Sequence, residues 1–237
     1  MSNNSIIIGG TSGIGLSTAQ YLKSNGHDVL IGGRTKHRNE TGITFSKIDV
    51  SNESSVESFF SSSSFPFDHI DSIIYSAGIT TNKKKITDFQ VDEYLKVHNV
   101  NLLGAMLVFK YAYPLLKKAR GRVVVVSSFA SRTYSKFSGF EYTVTKSGLS
   151  GLVKQLSIEW ANDGILINTV FPSMVDTPML RKNVDSDFLS SVESTIPLGR
   201  IAQPEEISSA IEFLISERDT YITGCGIDIN GGQFLSG

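Results

Sequence analysis

The chain has 237 residues, a formal net charge of −1, and 40% hydrophobic against 19% charged residues. That balance excludes a disordered chain, which is charge-rich and apolar-poor, and a phosphate-backbone binder, which carries a basic excess. The longest apolar runs, such as 123–126, fall far short of the roughly 18 residues that span a bilayer.

Strands are expected at 5–9, 28–32, 44–48, 71–75, 122–127, 166–170 and 225–229. Most are continuously apolar, the pattern of a parallel sheet covered on both faces. Helical patterns fill the intervals at 13–24, 53–60, 91–118, 142–162 and 204–216. The last opens on Pro204-Glu205-Glu206, with proline in the first turn and acids at the positive helix end. Strand–helix alternation implies right-handed crossovers. The expected fold is therefore α/β: one domain over 1–237, a doubly wound seven-stranded parallel sheet with helices on both faces. The serine run 61–64 and the lysine run 83–85 read as solvated loops.

A glycine-rich turn, Gly9-Gly10-Thr11-Ser12-Gly13-Ile14-Gly15, follows the first strand and opens the first helix. Glycines there let the backbone approach a pyrophosphate, and free N–H groups at the helix start favour its charge. An acid about 20 residues later normally bonds the adenosine ribose. Here the second strand runs into Gly32-Gly33-Arg34-Thr35-Lys36-His37-Arg38, with no acid. A guanidinium grips a 2′-phosphate where a carboxylate repels it, so NADP(H) is expected over NAD(H), with Arg34 as main contact.

Tyr142 and Lys146 lie one turn apart on a predicted helix. A nearby ammonium favours phenolate and is expected to lower the tyrosine pKa toward neutrality, suiting it to general acid–base work. The spacing alone is a weak signal, since Tyr113 and Lys117 repeat it. Tyr113 lacks a preceding strand and is read as packing or surface. Before Tyr142, the run 123–126 ends in Ser127-Ser128, at the strand end where open α/β sheets bind ligands.

Taken together, these motifs resemble the short-chain dehydrogenase/reductase family, of Rossmann type, along essentially the whole chain. Gly9, Gly13 and Gly15 match its Gly-x-x-x-Gly-x-Gly, and Asp49-Val50 its adenine-contacting pair. Ala77-Gly78 end a turn in which Ser76 also meets the cofactor. Asn101, Ser128, Tyr142 and Lys146 match the catalytic tetrad. Asn168 and Pro172 match a segment after the sixth strand, followed by Val175 and by Thr177, which touches the nicotinamide amide. The resemblance implies that Ser128 polarises a carbonyl, Tyr142 donates the proton, and Lys146 bonds the nicotinamide ribose. Asn101 then holds a relay water. Ile8, Tyr75-Ser76 and Ser173 depart from the family pattern, and Ser127 is an alternative to Ser128.

The implied reaction moves a hydride between NADP(H) and a ketone or secondary alcohol. An NAD(H)-dependent sugar or polyol dehydrogenase and a non-catalytic NADP(H) sensor are the alternatives. The C-terminal pattern is most similar to 3-oxoacyl-(acyl carrier protein) reductase-like members. A lid is expected at 176–198, with Met179, Leu180, Phe188 and Leu189 as apolar wall. Tyr134, Phe137 and Phe140 are expected to face the same cleft. The expected partner is a small carbonyl or alcohol compound, with no nucleic acid, membrane or metal. The family implies a homotetramer or homodimer through the helix of Tyr142, where Leu149, Leu152, Val153, Leu156 and Trp160 serve either core or partner. With the single Cys225 and no leader, the expected location is cytoplasmic.

Overall fold

The computed structural model describes residues 3–36, 42–183, 186–216 and 221–235. Their strands form one parallel sheet in the order β3-β2-β1-β4-β5-β6-β7. These are β1 (Asn4–Ile8), β2 (Asp28–Gly33), β3 (Thr44–Lys47), β4 (Ser72–Tyr75), β5 (Arg122–Val126), β6 (Leu166–Pro172) and β7 (Gly226–Ile229). All seven lie within two residues of their expected bounds. Burial on both faces explains why Ile6, Ile7 and Ile8 can follow one another, each fully buried. The order reverses between β1 and β4, and the crevice at such a switch point is where these sheets take ligands.

One side packs α2 (Glu53–Ser61), α4 (Gly104–Ala119) and α5 (Phe140–Glu159). Its core joins Phe59, Phe109 and Trp160 to Ile6, Ile73 and Val123. The other side packs α1 (Gly13–Ser24) and α8 (Pro204–Ile215) over Ile7, Ile31, Ile74 and Val124. In α8, Glu206 closes a capping box with Gln203 and pairs with Arg200, which holds its carboxyl down at about 2. Two short helices, α6 (Pro178–Asn183) and α7 (Ser186–Glu193), span the segment after β6 where a lid is expected. Among the described residues no helix is long and apolar enough to cross a membrane.

The expected single helix at 91–118 is corrected by the structure. It is α3 (Val91–His98), then a π-helical turn over Asn99–Leu103, then α4. A π-turn inserts one residue into the helical ladder, which periodicity over a long window averages away. Tyr75 supports that turn. Its fully buried hydroxyl donates to the Val100 carbonyl at 2.5 Å, where the family pattern has asparagine. The departure therefore keeps an anchor between β4 and the turn that carries Asn101.

Candidate active site

The cradle comes first. Gly9 has φ +84°, and a Cβ there would lie 2.5 Å from the Ala77 amide nitrogen. A Cβ on Gly15 would lie 2.3 Å from the Gly9 carbonyl oxygen. One glycine thus lets the turn meet β4, and the other lets α1 press against the turn. Gly13, at φ +52°, faces Thr177 across the cleft. The N-cap of α1 is Ser12, with no side-chain cap and no acid in the first turn. By contrast, α2 and α8 are capped by their own side chains. An uncapped helix start beside tight glycines suits a phosphate.

At the other end of the crevice, Arg34 stands exposed beyond β2 and faces Asp49. Asp49 accepts from the Ser51 hydroxyl at 2.7 Å and the Ser51 amide at 3.0 Å, and these bonds hold its carboxyl below the usual range. Gly33 lies against Thr11, whose methyl would be 2.7 Å from any Cβ. Lys36 is exposed nearby, while His37 and Arg38 lie outside the described residues.

The third group sits at the carboxyl end of β5. Ser128 lies close enough to Tyr142 to oppose part of the rise in its pKa, and its Oγ accepts from the Ala130 amide at 3.1 Å. Ser127 is turned toward α5: its hydroxyl donates to the Lys146 carbonyl at 2.9 Å and lies 3.2 Å from Ser131 Oγ. Both serines border the cleft, and of the two only Ser127 has its hydroxyl bonded to the backbone of α5. Lys146 is 4% exposed, and its Nζ donates to the Val126 carbonyl at 2.8 Å. That Nζ lies 5.7 Å from the centre of the Tyr142 ring.

The electrostatics differ from expectation. Tyr142 is only partly open to the cleft, and burial pushes its phenol above the ordinary tyrosine range, against the opposing Ser128 hydrogen bond. Burial also lowers Lys146 to about 8. The anticipated fall of the tyrosine toward neutrality is not produced by these groups, because desolvation of the phenol dominates and only Ser128 opposes it.

Asn101 is fully buried and does not line the cleft. Its Oδ1 accepts from the Ile79 amide at 2.8 Å, and its Nδ2 donates to the Ile79 carbonyl at 3.0 Å and to Thr145 Oγ1 at 3.1 Å. Lys146 Nζ and Asn101 Oδ1 lie 3.4 and 3.6 Å from where a Cβ on Gly78 would sit. Both therefore face one small space kept open by that glycine.

These groups share one cleft of about 820 Å³. Thr11, Ser12, Gly13, Ile14 and Arg34 line it, as do Asp49, Val50, Ser76, Ala77, Gly78, Val175 and Thr177. Gly15 lies beneath, under Gly9. On the substrate side Tyr134, Phe137, Met179 and Leu180 also line it. Leu189 packs behind them with Val192 and Ile196. The Phe188 side chain lies outside the described residues. Phe140 is a correction: it packs on Phe89 with ring centres 5.4 Å apart and is not part of the lining.

The residues that sequence reasoning missed are on the same side. Gln233 reaches the cleft from the segment after β7 and pairs with Ser173 Oγ. Thr81 and Asn82 line it from the loop after β4. Tyr113 and Lys117 are placed elsewhere: both bind Asp163 at 2.7 Å, and Tyr113 stacks on Trp160.

A family model described as enoyl-(acyl carrier protein) reductase matches residues 9–233. The chain is 33% identical to the 3-oxoacyl-[acyl-carrier-protein] reductase FabG of Aquifex aeolicus, over 97% of this chain and 96% of that one. A tropinone reductase homologue of Arabidopsis thaliana is 31% identical over 98% and 92% of the two chains. The aldohexose dehydrogenase of Thermoplasma acidophilum superposes with a TM-score of 0.91 at 26% identity, covering 98% of this chain and 94% of the other. ElxO with NADP bound gives 0.90 at 29% identity, covering 98% and 99%. With the glycine cradle, the sheet order and the Ser128–Tyr142–Lys146 corner, these matches establish that the chain is an oxidoreductase of the short-chain dehydrogenase/reductase family.

Proposed function

We propose that this protein transfers a hydride between NADP(H) and a ketone or secondary alcohol. The observation that carries the reading is the meeting of Ser128, Tyr142 and Lys146 beside an uncapped helix start. The residues present fit the cofactor: Gly9, Gly13 and α1 would take the pyrophosphate, Asp49 and Val50 the adenine side, Thr177 and Lys146 the nicotinamide side. When bound, the nicotinamide supplies or accepts the hydride at the carbinol carbon.

The chain's own groups do the rest. Ser128 and Tyr142 present two hydroxyls to one carbonyl oxygen, stabilising the charge that develops there. A phenol whose pKa burial has raised stays protonated through neutral pH, the form needed to donate to that oxygen. Lys146, Asn101 and the space at Gly78 make a path for proton replacement. Asn101 acts through Ile79, whose amide and carbonyl it fixes.

Arg34 selects the 2′-phosphate, with no carboxylate at the end of β2 to repel it. NADPH oxidation with a panel of ketones, read against NADH, tests both points. Arg34→Ala is expected to weaken NADPH binding roughly 10–100-fold, the worth of a charge-assisted hydrogen bond, and NADH by under about threefold. Equal losses for the two cofactors would overturn the NADP(H) assignment. Protection by NADPH in a thermal melt without any turnover would instead support the sensor reading.

The same reading includes self-assembly through α5. Leu149, Val153 and Trp160 are buried in the core, so the face first considered is internal. The opposite face exposes Val144 and Ile158, two turns on either side of Gly151. An apolar stripe with a glycine at its centre suits close contact with the same helix of a second copy. Light scattering of Ile158→Asp is expected to show a smaller particle than wild type; an unchanged size would exclude this face.

A further inference from the structure

Glu141 is an unusual residue to find immediately before Tyr142. Its side chain is fully buried, and Oε1 accepts no hydrogen bond. A buried carboxylate is costly unless it is paired. Its partners come from the loop after β4. Thr81 Oγ1 donates to Oε2 at 3.2 Å, and Lys84 Nζ lies 3.3 Å from Oε1. Lys84 is itself largely buried and also pairs with Glu93 of α3. Backbone bonds follow the same path: the Gly139 amide donates to the Thr81 carbonyl at 3.1 Å, and Asn82 bridges to Ser138. Gly139 leaves room for the carboxylate, since a Cβ there would lie 2.1 Å from Oε2.

The other end of this loop is fixed at Ile79 by Asn101. Residues 79–82, which line the cleft, are therefore held at both ends. Asn101 holds one end, and Glu141 with Lys84 holds the other. The second anchor is one residue from the proposed proton donor. Nothing in the chemistry assigned to the tetrad uses Glu141, Lys84 or Glu93.

We propose that Lys84 and Glu141 form a positioning clamp that fixes the 79–84 loop, a wall of the substrate half, against the first turn of the helix bearing Tyr142. Neither touches the reacting atoms. They act through the loop, which sets the approach of the carbonyl compound, and through Tyr142, whose helix turn Glu141 anchors. The proposal rests on the reading of Tyr142 as proton donor. Its role in the loop stands apart from that reading.

A double-mutant cycle tests it, with Lys84→Met, Glu141→Gln, the pair together, and Lys84→Arg as the conservative control. The readouts are the melting temperature, NADPH binding by fluorescence, and kcat and KM with ethyl 3-oxobutanoate as probe. Glu141→Gln keeps the shape and an acceptor for Thr81, so it folds normally. Its kcat is expected to fall about 10-fold, the scale of a small misplacement, with NADPH affinity within about twofold of wild type. Lys84→Met orphans the buried charge and lowers the melting temperature by more than about 5 °C. Adding Glu141→Gln removes that charge and restores most of the loss, and Lys84→Arg stays near wild type in both stability and kcat. Strictly additive melting shifts, or Glu141→Gln with unchanged kcat and KM, would overturn the clamp. Should wild type reduce no probe, the melting cycle still decides whether the clamp exists, while the positioning role fails together with the reductase reading.

Discussion

Tyr142→Phe is expected to lower turnover by about 10³-fold, within the range for loss of a positioned general acid, while NADPH binds within about twofold of wild type. Phenylalanine keeps the ring and its packing, so the substitution removes one hydroxyl. That hydroxyl is both the proton source and one of two donors to the carbonyl oxygen, the other being Ser128. Ser128 remains supported by the Ala130 amide and is not displaced. The cradle at Gly9, Gly13 and α1 is made from other segments, which is why binding survives. Kinetics with NADPH and the best ketone of the panel, beside a fluorescence titration, measure the two halves separately. Turnover above about a tenth of wild type would remove the tyrosine from its proposed role.

Lys146→Met is expected to abolish most turnover and yet raise the melting temperature. Burial lowers Lys146 from 10.5 to about 8, so keeping it charged in the fold costs about 3 kcal/mol. Methionine removes that cost and also the charge-assisted hydrogen bond to Val126, worth about 1.5–3 kcal/mol. The net gain of up to about 1.5 kcal/mol corresponds to a rise of up to about 6 °C in Tm for a chain of this size. The sign with pH follows from the depressed lysine. Between about 8 and 10.5 the unfolded chain holds a proton that the folded one has lost, so wild-type stability rises with pH across that window. The advantage of the variant is therefore largest below pH 8 and shrinks toward pH 10. A calorimetric series at several pH values checks it; a lower Tm for the variant at pH 7 would show that this ammonium is not held at a cost. The same titration predicts that any step needing charged Lys146 weakens as pH rises through about 8.

The central strands were legible in the sequence because parallel strands buried on both faces leave unbroken apolar runs, whereas β3 and β7 at the borders are mixed in sequence and partly exposed. The cradle was legible because three glycines at fixed spacing have few other uses after a strand. Other features depend on which way a side chain turns. Ser127 and Ser128 are adjacent on an extended segment and both border the cleft, and only the fold shows that the Ser127 hydroxyl is taken up by α5. Phe140 reads like Phe137 in composition but packs on Phe89. The π-turn at Asn99–Leu103 adds one residue to an otherwise regular helix, below what apolar spacing resolves. Glu141 falls just outside the helix expected at 142–162, where an acid at the end of a loop reads as a solvated charge. Its burial comes from Lys84, which is distant in sequence and sits in a lysine run that itself looked like an exposed loop.

The outermost strands carry one more consequence. An open sheet ends in rows of backbone donors and acceptors that invite other chains to add on. Here β3 and β7 are each only four residues long. The first ends in exposed Lys47, and the second contains Asp228, gripped by both nitrogen arms of Arg132 at 2.9 and 3.0 Å. Short borders marked by charge offer little template for strand-to-strand growth. Concentrated solutions of this protein should therefore resist fibrillar aggregation even though its interior is built from isoleucine and valine runs that, unfolded, would favour it.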